Sequence, residues 1–257
     1  MAKTLSLATS SQLCGSNIVQ ELTPLTRVAR ELRVVDLVMA GNVPVATRTL
    51  VDVSVDFKDT LGRVRSVVLS VSSDYLAVGT NADSVRVPLS PIAAQHTADA
   101  LGCMLPTTRI VDLIWKAART LPPAPWGPPY DATMLSVARF AAHSTRVDAQ
   151  QAAAGVIPGE LVGGTKKDVV LTNRLLVKPA SVAIYGWHRT NGVPIQPLSL
   201  VHEDSYADYS HGLRLVLKTC VLDGIEDVSL LNVLKDPVLA RALSSEGPLR
   251  VFRQPRA

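Results

Sequence analysis

The sequence is poor in cysteine and in aromatic residues, and it has no long apolar run. Its three cysteines, Cys14, Cys103 and Cys220, lie far apart and form no Cys-x-x-C pair. Neither a thiolate zinc site nor a disulfide framework is therefore expected. The nearest approach to an apolar run, Ser66 to Ser72, is strand-sized. Because a spanning helix needs about 20 apolar residues, we expect no membrane span.

The excess of one charge sign is also small. Lys and Arg total 26 against 22 Asp and Glu, which gives a net charge of +4. The densest basic stretch, residues 249–257, is interpreted as a solvated terminus, so nucleic acid is not an expected partner. The first 20 residues have one Lys and no apolar run of signal-peptide length. The sequence as given therefore predicts a cytoplasmic protein, or a secreted one whose leader has been removed.

The order of predicted elements indicates the α+β class. Residues 1–22 are predicted to be irregular, Thr23-Pro24 opens a helix that ends at Gly41, and an alternating run predicts a hairpin over residues 51–57 and 63–71. Helices are predicted from Ser90-Pro91 to Leu101, from Thr107, and over about 132–153, with a stiff proline-rich loop at 121–130. Further strands are predicted at 169–172, 181–188, 195–198 and 213–222, before two short helices at the end.

This pattern predicts an antiparallel sheet with a separate helical block. We divide the chain into an N-terminal helix and hairpin region, residues 1–89, and a helical block followed by a sheet, residues 90–257. The second region is the candidate catalytic domain, and the two can also form one continuous domain.

Residues with reactive side chains concentrate late in the chain. His188, His202 and His211 lie within 24 residues of one another. Such a cluster between strands is typical of a site on a sheet edge and its loops, although loop residues with no function are the alternative. Upstream, Gly163-Gly164 precede Lys166 and Lys167, a pattern that suits an anion or a simple turn and lacks the spacing of a nucleotide loop. The predicted substrate-binding residues are Tyr185, Trp187, Lys166, Lys167, Gln196, His202, Tyr209 and Ser210.

Cys103 is the candidate nucleophile. It lies between two predicted helices, and a thiol near a helix N-terminus is favoured as thiolate. His188 or His211 would take its proton, with Asp208 or Gln196 orienting the imidazole. The alternative is an inert buried cysteine. Nothing in the sequence indicates an organic cofactor.

The order of these parts resembles that of the NlpC-type papain-like cysteine peptidases of bacterial cell walls, over about residues 100–220. In that family a helical Cys is followed by a P-G-D-L-V segment and by strands that supply a His; here Cys103 is followed by Pro-Gly-Glu-Leu-Val at 158–162 and by the strands of His188 and His211. The resemblance implies a papain-like core and a thiol protease. Two segments, 182–188 and 206–212, also resemble parts of bacterial proteins of unassigned function.

The chain departs from the family at two places. Gly-Cys-Met-Leu replaces the Asp-Cys-Ser-Gly expected around the nucleophile, and Thr165 stands near the position of the expected His. The base is then missing unless His188 or His211 replaces it.

Three functions are consistent with these residues. The first is a hydrolase that cleaves an amide bond, in a peptide or a cell-wall fragment, through Cys103. The second is a metal-dependent hydrolase with His202, Asp208 and His211 as ligands. The third is a non-catalytic module that holds a glycan or a peptide on the aromatic and polar side chains.

Overall fold

The computed structural model describes residues 3–7 and 12–257. The strands are β1 (Lys3–Thr4), β2 (Thr49–Lys58), β3 (Val64–Ser72), β4 (Ala77–Gly79), β5 (Ser84–Arg86), β6 (Cys103–Met104), β7 (Arg119–Thr120), β8 (Val162–Gly163), β9 (Lys167–Val169), β10 (Ile184–His188), β11 (Pro194–Ser199), β12 (His211–Gly212), β13 (Val216–Leu222) and β14 (Ile225–Ser229). The helices are α1 (Gly15–Leu22), α2 (Arg27–Met39), α3 (Val45–Arg48), α4 (Pro91–Ala100), α5 (Thr108–Ala117), α6 (Val137–Ala153) and α7 (Leu230–Lys235). Short 3-10 turns lie at 132–135, 173–176 and 240–242.

Two sheets dominate the fold. The first has the strand order β1-β2-β3-β13-β14, with β6 pairing β13, and all its pairings are antiparallel. The second has the order β11-β10-β9-β12, in which only β9 and β12 are parallel. The predicted α+β class, with largely antiparallel sheets, is therefore confirmed.

The hairpin of β2 and β3 forms because its side chains alternate. Val53 and Val55 are buried, whereas Asp52 and Asp56 are exposed on the other face. On the far side of β3, the strand β13 comes from the end of the chain. The two regions predicted to meet at residues 89 and 90 thus contribute neighbouring strands to one sheet.

Local signals placed the starts of α4 and α5 correctly. The side chain of Ser90 accepts a hydrogen bond from the backbone of Ala93, and that of Thr107 accepts one from Ile110. Two predictions near the N-terminus were wrong. Residues 15–22 form α1, and the next helix starts at Arg27 because Thr26, rather than Thr23, is its N-cap. Residues 1, 2 and 8–11 of the predicted irregular segment lie outside the described residues.

The core of the described chain has a smaller apolar cluster around Val170 and Leu175 and a large one that takes residues from both main sheets. It includes Leu69 and Val71 from β3 as well as Ile110 from α5 and Phe140 from α6. No helix within residues 3–7 and 12–257 combines the length and the apolar character needed to cross a bilayer.

Candidate ligand-binding site

Cys103 lies inside the core. It is on β6, where it pairs with Leu217 of β13, and its side chain is fully buried. Its thiol donates a hydrogen bond to the carbonyl of Leu101 at 3.4 Å, and burial raises the pKa of the thiol to about 12. The residue is therefore in a strand before the cap of α5, not at a helix N-terminus, and burial disfavours its thiolate more than the nearby Lys218 favours it.

His188 is held by residues that the sequence analysis missed. Its Nε2 lies 3.0 Å from Oδ1 of Asp112, which also accepts a hydrogen bond from the hydroxyl of Tyr185 at 2.8 Å. The indole of Trp115 stacks on the imidazole at a centroid distance of 5.6 Å. Asp112 and Trp115 belong to α5, so helix packing against β10 determines the environment of His188. Among the described residues no hydrogen bond joins this imidazole to Cys103.

Asp208 and His211 are neighbours, as the sequence analysis expected. Oδ1 of Asp208 lies 4.0 Å from Nε2 of His211, and it accepts hydrogen bonds from the backbone and hydroxyl of Ser210 at 2.8 and 2.5 Å. Burial opposes ionisation of Asp208, but the nearby His211 and Lys167 and the Ser210 hydrogen bonds outweigh it and lower the pKa of this carboxyl. Burial lowers the pKa of His211, so its ring is neutral at pH 7.

The predicted metal ligand set does not form. His202 stacks face to face on Tyr206 with 4.0 Å between ring centroids, instead of joining Asp208 and His211 as a third ligand. In the part of the chain that the structure describes, no group of three or more His, Cys, Asp or Glu side chains is arranged to hold a metal ion.

Most predicted binding residues instead surround one open cavity of about 440 Å³, which we call the aromatic pocket. Lys167, Trp187 and Gln196 reach it from β9, β10 and β11. Its lining residues are Pro125, Trp126, Tyr130, Asp131, Met134, Lys167, Trp187, Ile195, Gln196, His202, Tyr206, Asp208, Tyr209 and Ser210. The volume falls in the range of small-molecule sites.

Trp187 is the most unusual residue of the pocket. Its φ of 54° is in the left-handed region, which a bulky side chain rarely adopts. The preceding Gly186 has a φ of 109°, and the pairing register of β10 with β11 shifts there. The indole Nε1 is buried and has no hydrogen-bond partner among the described residues. Backbone strain costs about 1–3 kcal/mol and accumulates at functional sites, so Trp187 points to function here.

The two adjacent lysines have opposite environments. Lys166 is 1 % exposed, and its ammonium donates to the carbonyl of Tyr209 at 2.6 Å. Burial lowers the pKa of Lys166 to about 7. Lys167 lines the aromatic pocket with its ammonium 5.4 Å from the ring centroid of Trp187. Because Lys166 is enclosed by the protein, only Lys167 of the two can meet a ligand in the pocket.

The sequence analysis missed the wall of the pocket that comes from the proline-rich loop. The backbone N–H of Trp126 donates to the hydroxyl of Tyr209 at 2.7 Å. The guanidinium groups of Arg139 and Arg146 lie 4.3 and 4.0 Å from the centroid of the Trp126 ring. Tyr130 stands at the mouth of the pocket and is 77 % exposed. The sequence feature that could have revealed this wall is the pair of aromatic residues in a loop with five prolines. A stiff loop can hold such rings in position for a ligand.

Comparison of the chain with protein-family models, with curated protein sequences and with solved structures found no match. The site is therefore interpreted from its own geometry.

Proposed function

We propose that this protein binds a short glycan in the aromatic pocket. The observation that carries the proposal is Trp187, a strained residue at the wall of an open cavity whose buried indole N–H has no acceptor among the described residues. An unsatisfied buried donor costs about 1–3 kcal/mol, so this side chain occupies a costly position at the pocket wall, as strained residues of functional sites do.

The chemistry of the lining suits a sugar. A pyranose has an apolar face of C–H bonds and a rim of hydroxyl groups that both donate and accept hydrogen bonds. The exposed ring of Tyr130 offers an open face for the first. For the second, Lys167 is a donor, ionised Asp208 is an acceptor, and the amide of Gln196 is both.

Hydrolysis through Cys103 stays a prediction, and its surroundings do not favour it. A nucleophilic thiol needs exposure and a depressed pKa, whereas burial raises the pKa of Cys103 to about 12. Its hydrogen bond goes to a main-chain carbonyl rather than to an imidazole. The papain-like core that accompanied this hypothesis stays a prediction as well. A glycan-binding module without a thiol nucleophile is the function that these contacts favour.

Calorimetric titration with chitotriose, cellotriose and maltotriose tests the proposal, with trialanine as the peptide comparison. We expect saturable binding of at least one saccharide. Tyr130→Ala should weaken it about tenfold, because the stacking of a sugar on an exposed ring is lost without disturbing the core. Trp187→Phe should weaken it similarly, because the smaller ring changes the pocket wall and the surface on which Lys167 rests.

Trp115→Phe is the matched control, because this tryptophan packs against His188 outside the pocket. Binding by the Cys103→Ala, His188→Ala double variant should equal that of the parent protein. Saturable binding of trialanine alone, or no binding of any saccharide at millimolar concentration, would exclude the glycan proposal.

A further inference from the structure

A second cavity, of about 570 Å³, shares no lining residue with the aromatic pocket. It lies where the N-terminus of α5 meets the segment after the 3-10 turn at 240–242. Its lining includes Arg109, Arg241, Ser245 and Glu246. We call it the arginine cavity.

Two guanidinium groups line this cavity without protein partners. Among the described residues, neither Arg109 nor Arg241 forms a side-chain hydrogen bond, an ion pair or a ring contact. The Nε of Arg109 is shielded from solvent and still has no acceptor there. Arg119, by contrast, pairs with the carboxylate of Glu160 at 2.6 Å. The terminal nitrogens of Arg109 are not shielded in this way, so they and the exposed Arg241 can donate to an anion in the cavity.

The acidic residue that lines the cavity does not neutralise the arginines. Both carboxylate oxygens of Glu246 accept from the hydroxyl of Thr172 at 2.9 Å, and one also accepts from the backbone N–H of Asn173 at 3.0 Å. Within the described chain, no nitrogen of Arg109 or Arg241 lies within ion-pair distance of this carboxylate. The carboxylate of Glu246 therefore links its own segment to residues 172–173. The cavity keeps a net positive charge.

Neutral donors add to the two arginines. The hydroxyls of Thr108 and Ser245 lie 3.1 Å apart, and the one that accepts this hydrogen bond keeps its own proton to donate elsewhere. Thr108 and Arg109 are also the first two residues of α5, whose backbone N–H groups have no acceptor within a helix. Of these groups, Ser245 and Arg109 belong to residues that line the cavity.

We propose that the arginine cavity binds a phosphate group. Two planar guanidinium forks and several hydroxyls offer more donors than the two oxygens of a carboxylate can use, whereas a phosphate presents three or four oxygens. The volume also leaves room for a small organic group attached to the phosphate. The proposal is independent of glycan binding, because the two cavities share no residue.

The test is calorimetric titration of the full chain with inorganic phosphate and with phenyl phosphate, at ionic strength held constant with sodium chloride. Acetate serves as the carboxylate comparison. We expect saturable binding of phosphate, at least about tenfold tighter than acetate. Arg109→Ala and Arg241→Ala should each weaken it about tenfold or more, since each removes a charge-assisted contact. Tighter binding of phenyl phosphate would identify an organic phosphate as the ligand, and equal binding would identify the free ion.

Arg174→Ala is the matched control, because this exposed arginine has no side-chain partner among the described residues and lies outside the cavity. It should change the affinity by less than about twofold. Arg109→Lys keeps the charge and loses the planar fork, so it should weaken phosphate binding without unfolding the protein. Phosphate binding no stronger than acetate binding, or an equal loss in the Arg174 control, would overturn the proposal.

Discussion

Asp74 and Arg86 form an ion pair inside the protein. Nη2 of Arg86 donates to Oδ2 of Asp74 at 2.6 Å, and Nε donates to the same oxygen at 3.1 Å. Their side chains are only 4 % and 7 % exposed. Gln151 of α6 donates to the same carboxylate oxygen, so the pair joins the short ribbon of β4 and β5 to α6.

Removing one partner of this pair should destabilise the fold strongly. Arg86→Met leaves the carboxylate of Asp74 buried without its cation, and we expect the free energy of unfolding to fall by about 3–5 kcal/mol. Denaturant titration followed by circular dichroism measures the change. The control is Arg119→Met, whose partly exposed pair with Glu160 should contribute no more than about 1 kcal/mol. Equal losses in the two variants would contradict the prediction.

Lys166 should make stability rise with pH. Burial lowers its pKa to about 7, whereas an unfolded lysine has a pKa of about 10.4. Between these values the unfolded chain binds more protons at this site than the folded one, so raising the pH favours the folded state. Unfolding free energies at pH 7, 8 and 9 should increase in the parent protein.

The matched variant for this pH dependence is Lys166→Met, which keeps most of the length and removes the titrating amine. Its unfolding free energy should lack most of the increase between pH 7 and pH 9. An identical slope in both proteins would assign the pH dependence to other groups. The range stops at pH 9 because burial raises the pKa of Tyr75 above its ordinary value, which adds an opposite effect at higher pH.

The three thiols should differ in reactivity. Cys14 is the least buried, whereas burial raises the pKa of Cys103 to about 12 and of Cys220 to about 11. Because the thiolate is the reacting species, iodoacetamide should label Cys14 at least about tenfold faster than the others in the folded protein. Peptide mass spectrometry over time measures the three rates, with urea-unfolded protein as the control in which all three react. Faster labelling of Cys103 would restore the cysteine hydrolase hypothesis.

Gly212 should not tolerate a side chain. A methyl group there would overlap the ring of Tyr75 and lie 2.9 Å from Cβ of Lys166. We expect Gly212→Ala to lower the free energy of unfolding by about 1–3 kcal/mol, because both neighbours are held by buried hydrogen bonds. Gly127→Ala has no described atom within 4 Å of the added group and serves as the control. A neutral Gly212→Ala in thermal unfolding would show that β12 can shift away from Tyr75.

The sequence contained enough local information for many elements. The alternation around Val53 and Val55 predicted the hairpin, and Ser90 and Thr107 predicted two helix starts. Thr26 was missed because Thr23-Pro24 carries the same capping signal three residues earlier. Capping signals act within a few residues. A capping residue can therefore be recognised in the sequence, but the sequence does not show which of two nearby candidates caps the helix.

The residues near the end of the chain that line the aromatic pocket were also recognisable. Polar and aromatic residues are concentrated in this part of the sequence. Three of them, Trp187, Tyr209 and Ser210, line one pocket. Trp126 and Tyr130 could not be recognised in this way, because they reach the pocket only when their loop packs against the distant Tyr209. The separation of His188 from the pocket likewise depends on the packing of α5.

The sequence by itself determined the α+β class, the hairpin and the concentration of polar and aromatic side chains after residue 180. Only the tertiary structure decided that Cys103 is enclosed in the core, that Lys167 rather than Lys166 meets the pocket, and that Arg109 and Arg241 share a cavity. The physical reason is that spacing along a chain specifies local conformation, whereas burial and the meeting of distant side chains depend on which surfaces pack together.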